Sequence, residues 1–290
     1  MRVLLTGAGG FLGRYVHQSL TSRGIETIAL GRTQQVPGAF IAADLLNPLN
    51  VETAVAQAGA THLVHLAWYV EHGKFWQSPL NSDWVDATAY LAETFCKAGG
   101  RRVVAAGTCF EYAQTDDPAI EDVTPVQPRT PYGIAKDEAR GRVMTACARY
   151  GASCAWGRIF VPYGTGENAQ RLLPSLIAAL TGGRPPFGVN RPALRDFINA
   201  ADLGEAFAVL AAAEESGAYN ISTGEGVKIE TVVREVAAQL GADPAPILDL
   251  PSARPGEPGV IVGDCRKLEV LGWRPRVSLK EGVARMIARL

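Results

Sequence analysis

Between residues 7 and 13 the chain reads Gly7-Ala8-Gly9-Gly10-Phe11-Leu12-Gly13. An apolar run at 2–6 precedes it, and a stretch with Leu12, Val16 and Leu20 spaced four apart follows. The first pattern suits a buried parallel strand and the second one face of a helix. Glycines at 7, 10 and 13 allow a tight strand-to-helix turn whose backbone comes close to a diphosphate. The N-terminus of the following helix then directs unpaired N–H groups at that anion. A turn that binds nothing can carry the same glycines. The position directly after the first strand and before an amphipathic helix favours a dinucleotide site.

The alternation continues along the chain. Residues 25–30, 40–43, 61–66, 102–106 and 153–160 read as strands. Residues 11–23, 51–58, 80–98 and 131–150 read as helices. Strands alternating with helices imply βαβ units, so residues 1–160 are expected to form an α/β, Rossmann-type doubly wound parallel sheet. Beyond Phe160 prolines and glycines cluster at Pro162, Gly164, Gly166, Gly182, Gly183, Pro185, Pro186 and Pro192. Helices are expected at 169–181, 201–215 and 228–240. Residues 161–290 read mainly as a smaller C-terminal substrate-binding lobe, with later segments returning to the first domain.

Charge and cysteine usage narrow the function classes. Lys plus Arg total 28 and Asp plus Glu 29, a net charge of −1. That leaves no basic footprint for nucleic acid or for an anionic membrane. No uncharged apolar run approaches the ~18 residues of a membrane span. Glycines interrupt the apolar start too early for an export leader, so a cytoplasmic location is expected. The five cysteines are widely spaced without a CxxC pair, and the four histidines lie at or before His72. Neither a disulfide framework nor a bound metal is expected.

The end of the second strand bears on the cofactor. NAD sites usually place an acid there for the ribose 2′-OH. Here the sequence is Ala29-Leu30-Gly31-Arg32-Thr33. Arg32 can pair with a 2′-phosphate and Thr33 can add a hydroxyl, so NADP(H) is the expected cofactor, with NAD(H) second. The competing reading of Arg32 is a solvated surface arginine. Asp44-Leu45 follows the third strand, where Asp44 either hydrogen-bonds the adenine or shapes a turn.

Tyr132 and Lys136 are four residues apart at the start of an expected helix, which puts both on one face. A free tyrosine has a pKa of about 10, and a nearby ammonium lowers it. Such a tyrosine can exchange a proton with a carbonyl or alcohol oxygen while hydride moves on the carbon. Thr108 lies just beyond the strand at 102–106, at the strand ends where open α/β sheets bind ligands.

These features, together with Thr6 ahead of the glycine turn, His65-Leu66-Ala67, Tyr132-Gly133-Ile134-Ala135-Lys136, Tyr163-Gly164, Arg195-Asp196-Phe197 and Leu271-Gly272-Trp273, resemble the extended short-chain dehydrogenase/reductase family, also called the NAD-dependent epimerase/dehydratase family. The resemblance covers nearly the whole chain. It implies Tyr132 as acid/base, Lys136 on the nicotinamide ribose and Thr108 on the substrate oxygen. It places Leu66, Ala67 and Trp68 beside the cofactor and the nucleotide half of a nucleotide sugar in the second lobe. It also implies a homodimer formed through the helices at 80–98 and 131–150.

The departures from the family pattern are informative. The family's 4,6-dehydratases carry Asp-Glu directly after the hydroxyl residue, where this chain has Cys109-Phe110. That argues against elimination chemistry. Cys109 reads as a second acid/base or as a packed small hydrophobe, and the orientation of Glu111 is not legible. Val161 stands where the family usually has an asparagine on the substrate's diphosphate. Arg171, Arg195 and Arg254 are the guanidinium groups expected to grip phosphate instead. Trp68, Tyr69, Phe75, Trp76 and Trp84 make one stretch densely aromatic, either a wall against a sugar ring or a satellite core under a loop. His72 and Glu71 in that stretch are weaker candidates for substrate contact. The expected activity is NADP(H)-dependent reduction of a keto group, at C4, of a nucleotide-linked sugar. The alternatives are a nucleotide-sugar 4-epimerase with tightly held NAD, a reductase of a small carbonyl compound and a cofactor-sensing regulator without turnover.

Overall fold

Short apolar runs form the strands of this protein and amphipathic stretches the helices. A computed structural model describes residues 1–252 and 256–289. In chain order the first elements are β1 (Arg2–Thr6), α1 (Phe11–Ser22), β2 (Glu26–Gly31), β3 (Ala39–Ala42), α2 (Pro48–Ala58), β4 (His62–His65), α3 (Leu80–Lys97), β5 (Arg102–Thr108), α4 (Pro131–Tyr150) and β6 (Ser153–Ile159). There follow β7 (Val161–Tyr163), α5 (Leu172–Leu180), β8 (Leu194–Arg195), β9 (Phe197–Asn199), α6 (Ala200–Ala212) and β10 (Gly217–Ile221). The chain ends with β11 (Val227–Lys228), α7 (Ile229–Leu240), α8 (Ala245–Leu248), β12 (Val260–Ile261), α9 (Arg266–Glu269) and α10 (Leu279–Ile287).

One seven-stranded sheet runs in the order β10-β6-β5-β4-β1-β2-β3. It is parallel throughout. Parallel sheets need cover on both faces, and β5 is buried along its whole length. Leu91, Phe95, Ala139 and Val143 bring α3 and α4 onto one face. Val16, Leu20, Leu203 and Phe207 bring α1 and α6 onto the other. The result is a Rossmann-type doubly wound α/β fold. The strand order reverses direction at β1 and β4, which puts a crevice beyond their C-terminal ends.

Two segments after residue 160 join this layer: α6 packs on the sheet and β10 extends its edge beside β6. Arg102, buried at the start of β5, fastens them. Its guanidinium donates to the carbonyls of Leu210 (2.7 Å) and Glu215 (3.1 Å) and to Ser153 Oγ (2.9 Å). A cation at the carbonyl end of α6 also meets the negative end of the helix dipole.

The remaining strands form two small sheets, β11-β8-β12 and β7-β9. With α5, α7, α8 and α10 they enclose a separate core built on Leu173, Leu176, Val232, Val236 and Val283. Asp196, fully buried between β8 and β9, accepts hydrogen bonds from Thr223 N and Oγ1 (both 2.7 Å), Gly224 N (3.0 Å) and Gly263 N (3.3 Å). One carboxylate thus ties three chain segments together beside Arg195. Trp273 donates its indole N–H to Asp202 O, and the Asp202 carboxylate caps Arg276 N and Val277 N.

Two glycines on this frame give opposite expectations. A Cβ on Gly13 would stand 1.9 Å from the Gly7 carbonyl oxygen, whereas one on Gly141, inside α4, meets nothing within 4 Å. Gly13→Ala is expected to lose about 1–3 kcal/mol in urea denaturation through overpacking. Gly141→Ala is expected to gain about 0.5–1 kcal/mol through helix propensity.

Candidate active site

The turn after β1 is bare backbone. Gly7 is left-handed (φ 72°), and its carbonyl accepts from Gly10 N at 3.0 Å. A Cβ on Gly7 would lie 2.8 Å from Ala67 N, so the loops after β1 and β4 pinch together at the crevice. The first turn of α1 has no side-chain cap and no acidic residue. Uncapped N–H groups beside a glycine cradle that a Cβ would fill fit the diphosphate of a dinucleotide. Gly10, Phe11, Leu12 and Gly13 therefore line the turn, with Leu66 and Ala67 opposite.

A buried histidine sets the spacing of the two loops. His65 Nδ1 lies 2.7 Å from Thr6 Oγ1 and Nε2 lies 2.9 Å from Thr88 Oγ1. Thr6 Oγ1 also accepts from Ala67 N at 3.3 Å. Burial, aided by the Lys136 charge, pushes His65 down to about 3, so the ring is neutral. The sequence motif contained His65 but gave no sign of Thr88, which enters from α3.

The cofactor candidates further out are placed differently from one another. Arg32 and Thr33 are exposed just past β2, and Thr33 Oγ1 accepts from Gln35 Nε2 at 3.3 Å. Asp44 Oδ1 accepts from Leu46 N at 3.0 Å, which gives Asp44 a turn-shaping role in this structure. Leu45 packs into the core under α2 and α3.

Thr108 ends β5 and is buried. Thr130 caps α4 by accepting from Gly133 N at 3.1 Å, and Pro131 fits the first turn. These start signals bring Tyr132 close to Thr108, whose hydroxyl accepts from Phe110 N at 3.4 Å. Burial raises Tyr132 well above the ordinary phenol value, and the Glu111 charge adds to this. Thr108 and the Arg171 charge pull the other way. Tyr132 is therefore a protonated phenol at neutral pH. Lys136, one turn further along α4, faces the sheet. Its ammonium donates to Ala106 O at 2.9 Å and sits 3.8 Å from the centre of the Trp68 ring. Burial brings Lys136 down to about 7.

Glu111 turns inward, away from any acid/base role. It is fully buried and accepts from Thr108 N (2.8 Å), Trp156 Nε1 (2.9 and 3.1 Å) and Arg158 Nε (2.8 Å). Cys109 packs with Tyr112, Ala119 and Phe160. Burial and the Glu111 charge push its thiol up to about 12, so it is a protonated small hydrophobe at neutral pH.

Arg171 pairs with the buried Glu167 and also donates to Pro162 O at 3.1 Å. Its charge reaches Tyr132. Arg195 donates to Leu194 O at 2.9 Å, faces Glu257 at 3.6 Å and reaches Cys109 with its charge. Both cations thus lie on the Thr108–Tyr132 side. Arg254 falls outside the described residues. The aromatic stretch packs against the phenol: ring centres of Phe75 and Trp76 lie 4.8 and 5.6 Å from that of Tyr132.

Lys136 carries a pH signature of stability. Folding lowers its pKa from 10.5 to about 7, so the unfolded chain holds an extra proton between those values. Stability from this group rises with pH across that window. Lys136→Met is expected to stabilise the protein by roughly 2–4 kcal/mol at pH 6, with the gain shrinking toward pH 10. Urea titrations at both pH values check it.

Comparison with known proteins places this arrangement. The chain is 27% identical over 303 residues to a UDP-glucose 4-epimerase of Corynebacterium glutamicum, covering 95% of this chain and 91% of the relative. It is 28% identical over 247 residues to the dTDP-6-deoxy-L-talose 4-dehydrogenase (NAD(+)) of Aggregatibacter actinomycetemcomitans, covering 82% and 90%. The solved structure of MoeE5 in complex with UDP-glucose and NAD superimposes with a TM-score of 0.85 at 30% identity, covering 99% of this chain and 98% of that one. Residues 3–222 match the NAD dependent epimerase/dehydratase family. Among the described residues no helix is long and apolar enough to cross a membrane. With three quarters of its length inside that match and a glycine turn, Thr108, Tyr132 and Lys136 near the C-terminal ends of the inner strands, the chain belongs to the NAD-dependent epimerase/dehydratase family; the similar proteins named here act on or bind nucleotide sugars.

Proposed function

We propose that the protein is an NADP(H)-dependent reductase of a keto group, at C4, of a nucleotide-linked sugar. The observation that carries this reading is a half-buried, protonated Tyr132 close to Thr108 at the end of β5 and packed against Phe75 and Trp76. Gly7, Gly10, Phe11, Leu12, Gly13, Leu66, Ala67, Trp68 and Lys136 would hold the dinucleotide, with Arg32 and Thr33 at its 2′-phosphate. When bound, the dinucleotide supplies hydride to the carbonyl carbon. Tyr132 gives its proton to the carbonyl oxygen, and Thr108 donates a hydrogen bond that fixes that oxygen. The phenol is a proton donor because burial disfavours its anion, which suits reduction. Arg171 and Arg195 would grip the substrate's diphosphate. The exposed, acid-free end of β2 with Arg32 favours NADP(H) over NAD(H).

A second reading is 4-epimerisation of a nucleotide sugar with a retained NAD. It is favoured by the relatives named UDP-glucose 4-epimerase and by the NAD in the MoeE5 structure. It uses the same tyrosine in both directions.

Tyr132→Phe is expected to cut turnover at least about 100-fold while the NADPH dissociation constant stays within about twofold. Loss of cofactor binding would show the residue to be misassigned. Arg32→Ala is expected to weaken NADPH by about tenfold or more, the worth of a charged hydrogen bond, and to leave NADH unchanged. Equal losses for both cofactors would remove the 2′-phosphate assignment and favour the epimerase.

A further inference from the structure

Proton transfer at Tyr132 uses neither Phe75 nor Trp76, yet both rings stand against it. They form a single 3₁₀ turn, Phe75–Gln77, ahead of α3. Phe75 meets Tyr132 edge-on at 4.8 Å between ring centres, and Trp76 meets Phe110 edge-on at 4.7 Å. All four rings are half-buried. A satellite core would close over its rings; these keep part of their surface open around the phenol. An aromatic face offers C–H and dispersion contacts and no strong acceptor. It therefore suits the apolar face of a pyranose better than a charged or heavily hydrated group.

One amide fixes the turn. Asn81, buried near the start of α3, accepts from Trp68 Nε1 at 2.9 Å through Oδ1. Through Nδ2 it donates to Phe75 O at 2.7 Å. Trp68 lies over the Lys136 ammonium at 3.8 Å, so Asn81 joins the ring above Lys136 to the ring beside Tyr132. With both halves of its amide engaged in the interior, Asn81 leaves the turn one docked position.

We propose that Phe75 and Trp76 form a stacking wall for the sugar ring of the substrate, and that Asn81 is the positioning residue that holds this wall beside Tyr132. The proposal rests on the nucleotide-sugar reading above. It assigns recognition of the pyranose to the loop after β4, apart from the cations that would grip the diphosphate.

Calorimetry separates the two. UDP, dTDP, GDP and CDP are titrated into the NADPH-loaded protein, followed by UDP-glucose, dTDP-glucose, GDP-mannose and CDP-glucose. For the base that binds, Trp76→Ala is expected to weaken the sugar conjugate about three- to tenfold. The diphosphate alone should stay within about twofold. Trp76→Phe should restore most of the loss, and Asn81→Ala should reproduce it. Retained diphosphate binding reports that each variant is folded. Equal losses for diphosphate and conjugate, or no change in either, overturn the wall while leaving the nucleotide-sugar reading intact. If no diphosphate and no conjugate binds the unaltered protein, the nucleotide-sugar reading fails and the wall falls with it.

Discussion

The Glu111 carboxylate, fully buried, takes hydrogen bonds from the Thr108 backbone, the Trp156 indole and the Arg158 guanidinium. Removing one partner of such a pair strands the other charge and costs about 3–5 kcal/mol. The geometry of the site follows from it. Holding Thr108 N fixes where β5 ends and which way the Thr108 hydroxyl faces. The Cys109–Glu111 turn then presents the Phe110 carbonyl so close to α4 that a Cβ on Gly133 would meet it at 2.5 Å. Only glycine after Tyr132 lets the helix start approach that closely, and the approach brings Tyr132 to Thr108. On the far side, Arg158 stacks at 4.4 Å over Tyr112, whose hydroxyl donates to Asn220 in β10. The chain from β10 to Tyr132 is thus one polar and aromatic network anchored on a single carboxylate.

Around that network the protein keeps charge off its titratable groups. His65 is neutral at about 3, Cys109 is a thiol at about 12 and Tyr132 holds its proton. Lys136 is shifted to about 7. In a site of low polarity a held proton is a reagent. On the proposed reading, the phenol releases it when a developing alkoxide gives it somewhere to go. Lys136 rests on Ala106 O beneath Trp68.

Much of the fold was legible because local pattern and tertiary need agree. The glycine turn, the Thr130-Pro131 start of α4 and the apolar strands carry their own signals. The strand expected at 102–106 in fact runs to Thr108. Gly107 sits inside it because Trp156 Nε1 would lie 2.1 Å from a Cβ. Strand β10 gave no signal: Gly217–Ile221 is short and contains Asn220, whose polarity is satisfied by Tyr112, Glu121, Ala119 and Asp264 from distant segments. The helix expected from 169 starts at Leu172, after Arg171 takes an extended conformation and pairs with Glu167. Within the site, residue types were legible and orientations were not. Glu111 and Thr88 act through partners far away in sequence, and Asn81 through a loop that folds back on it; no spacing rule reports such partners.

The most direct test of hydride and proton exchange at Tyr132 is to follow deuterium. The protein is incubated with C4-deuterated NADPH, or NADH, and a nucleotide-linked 4-keto sugar, and the product is read by NMR. The expected result is deuterium on the sugar carbon, faster from NADPH, and its disappearance in Tyr132→Phe. Deuterium transfer that persists undiminished in Tyr132→Phe, or no transfer from either cofactor to any nucleotide-linked keto sugar that binds, would contradict the account.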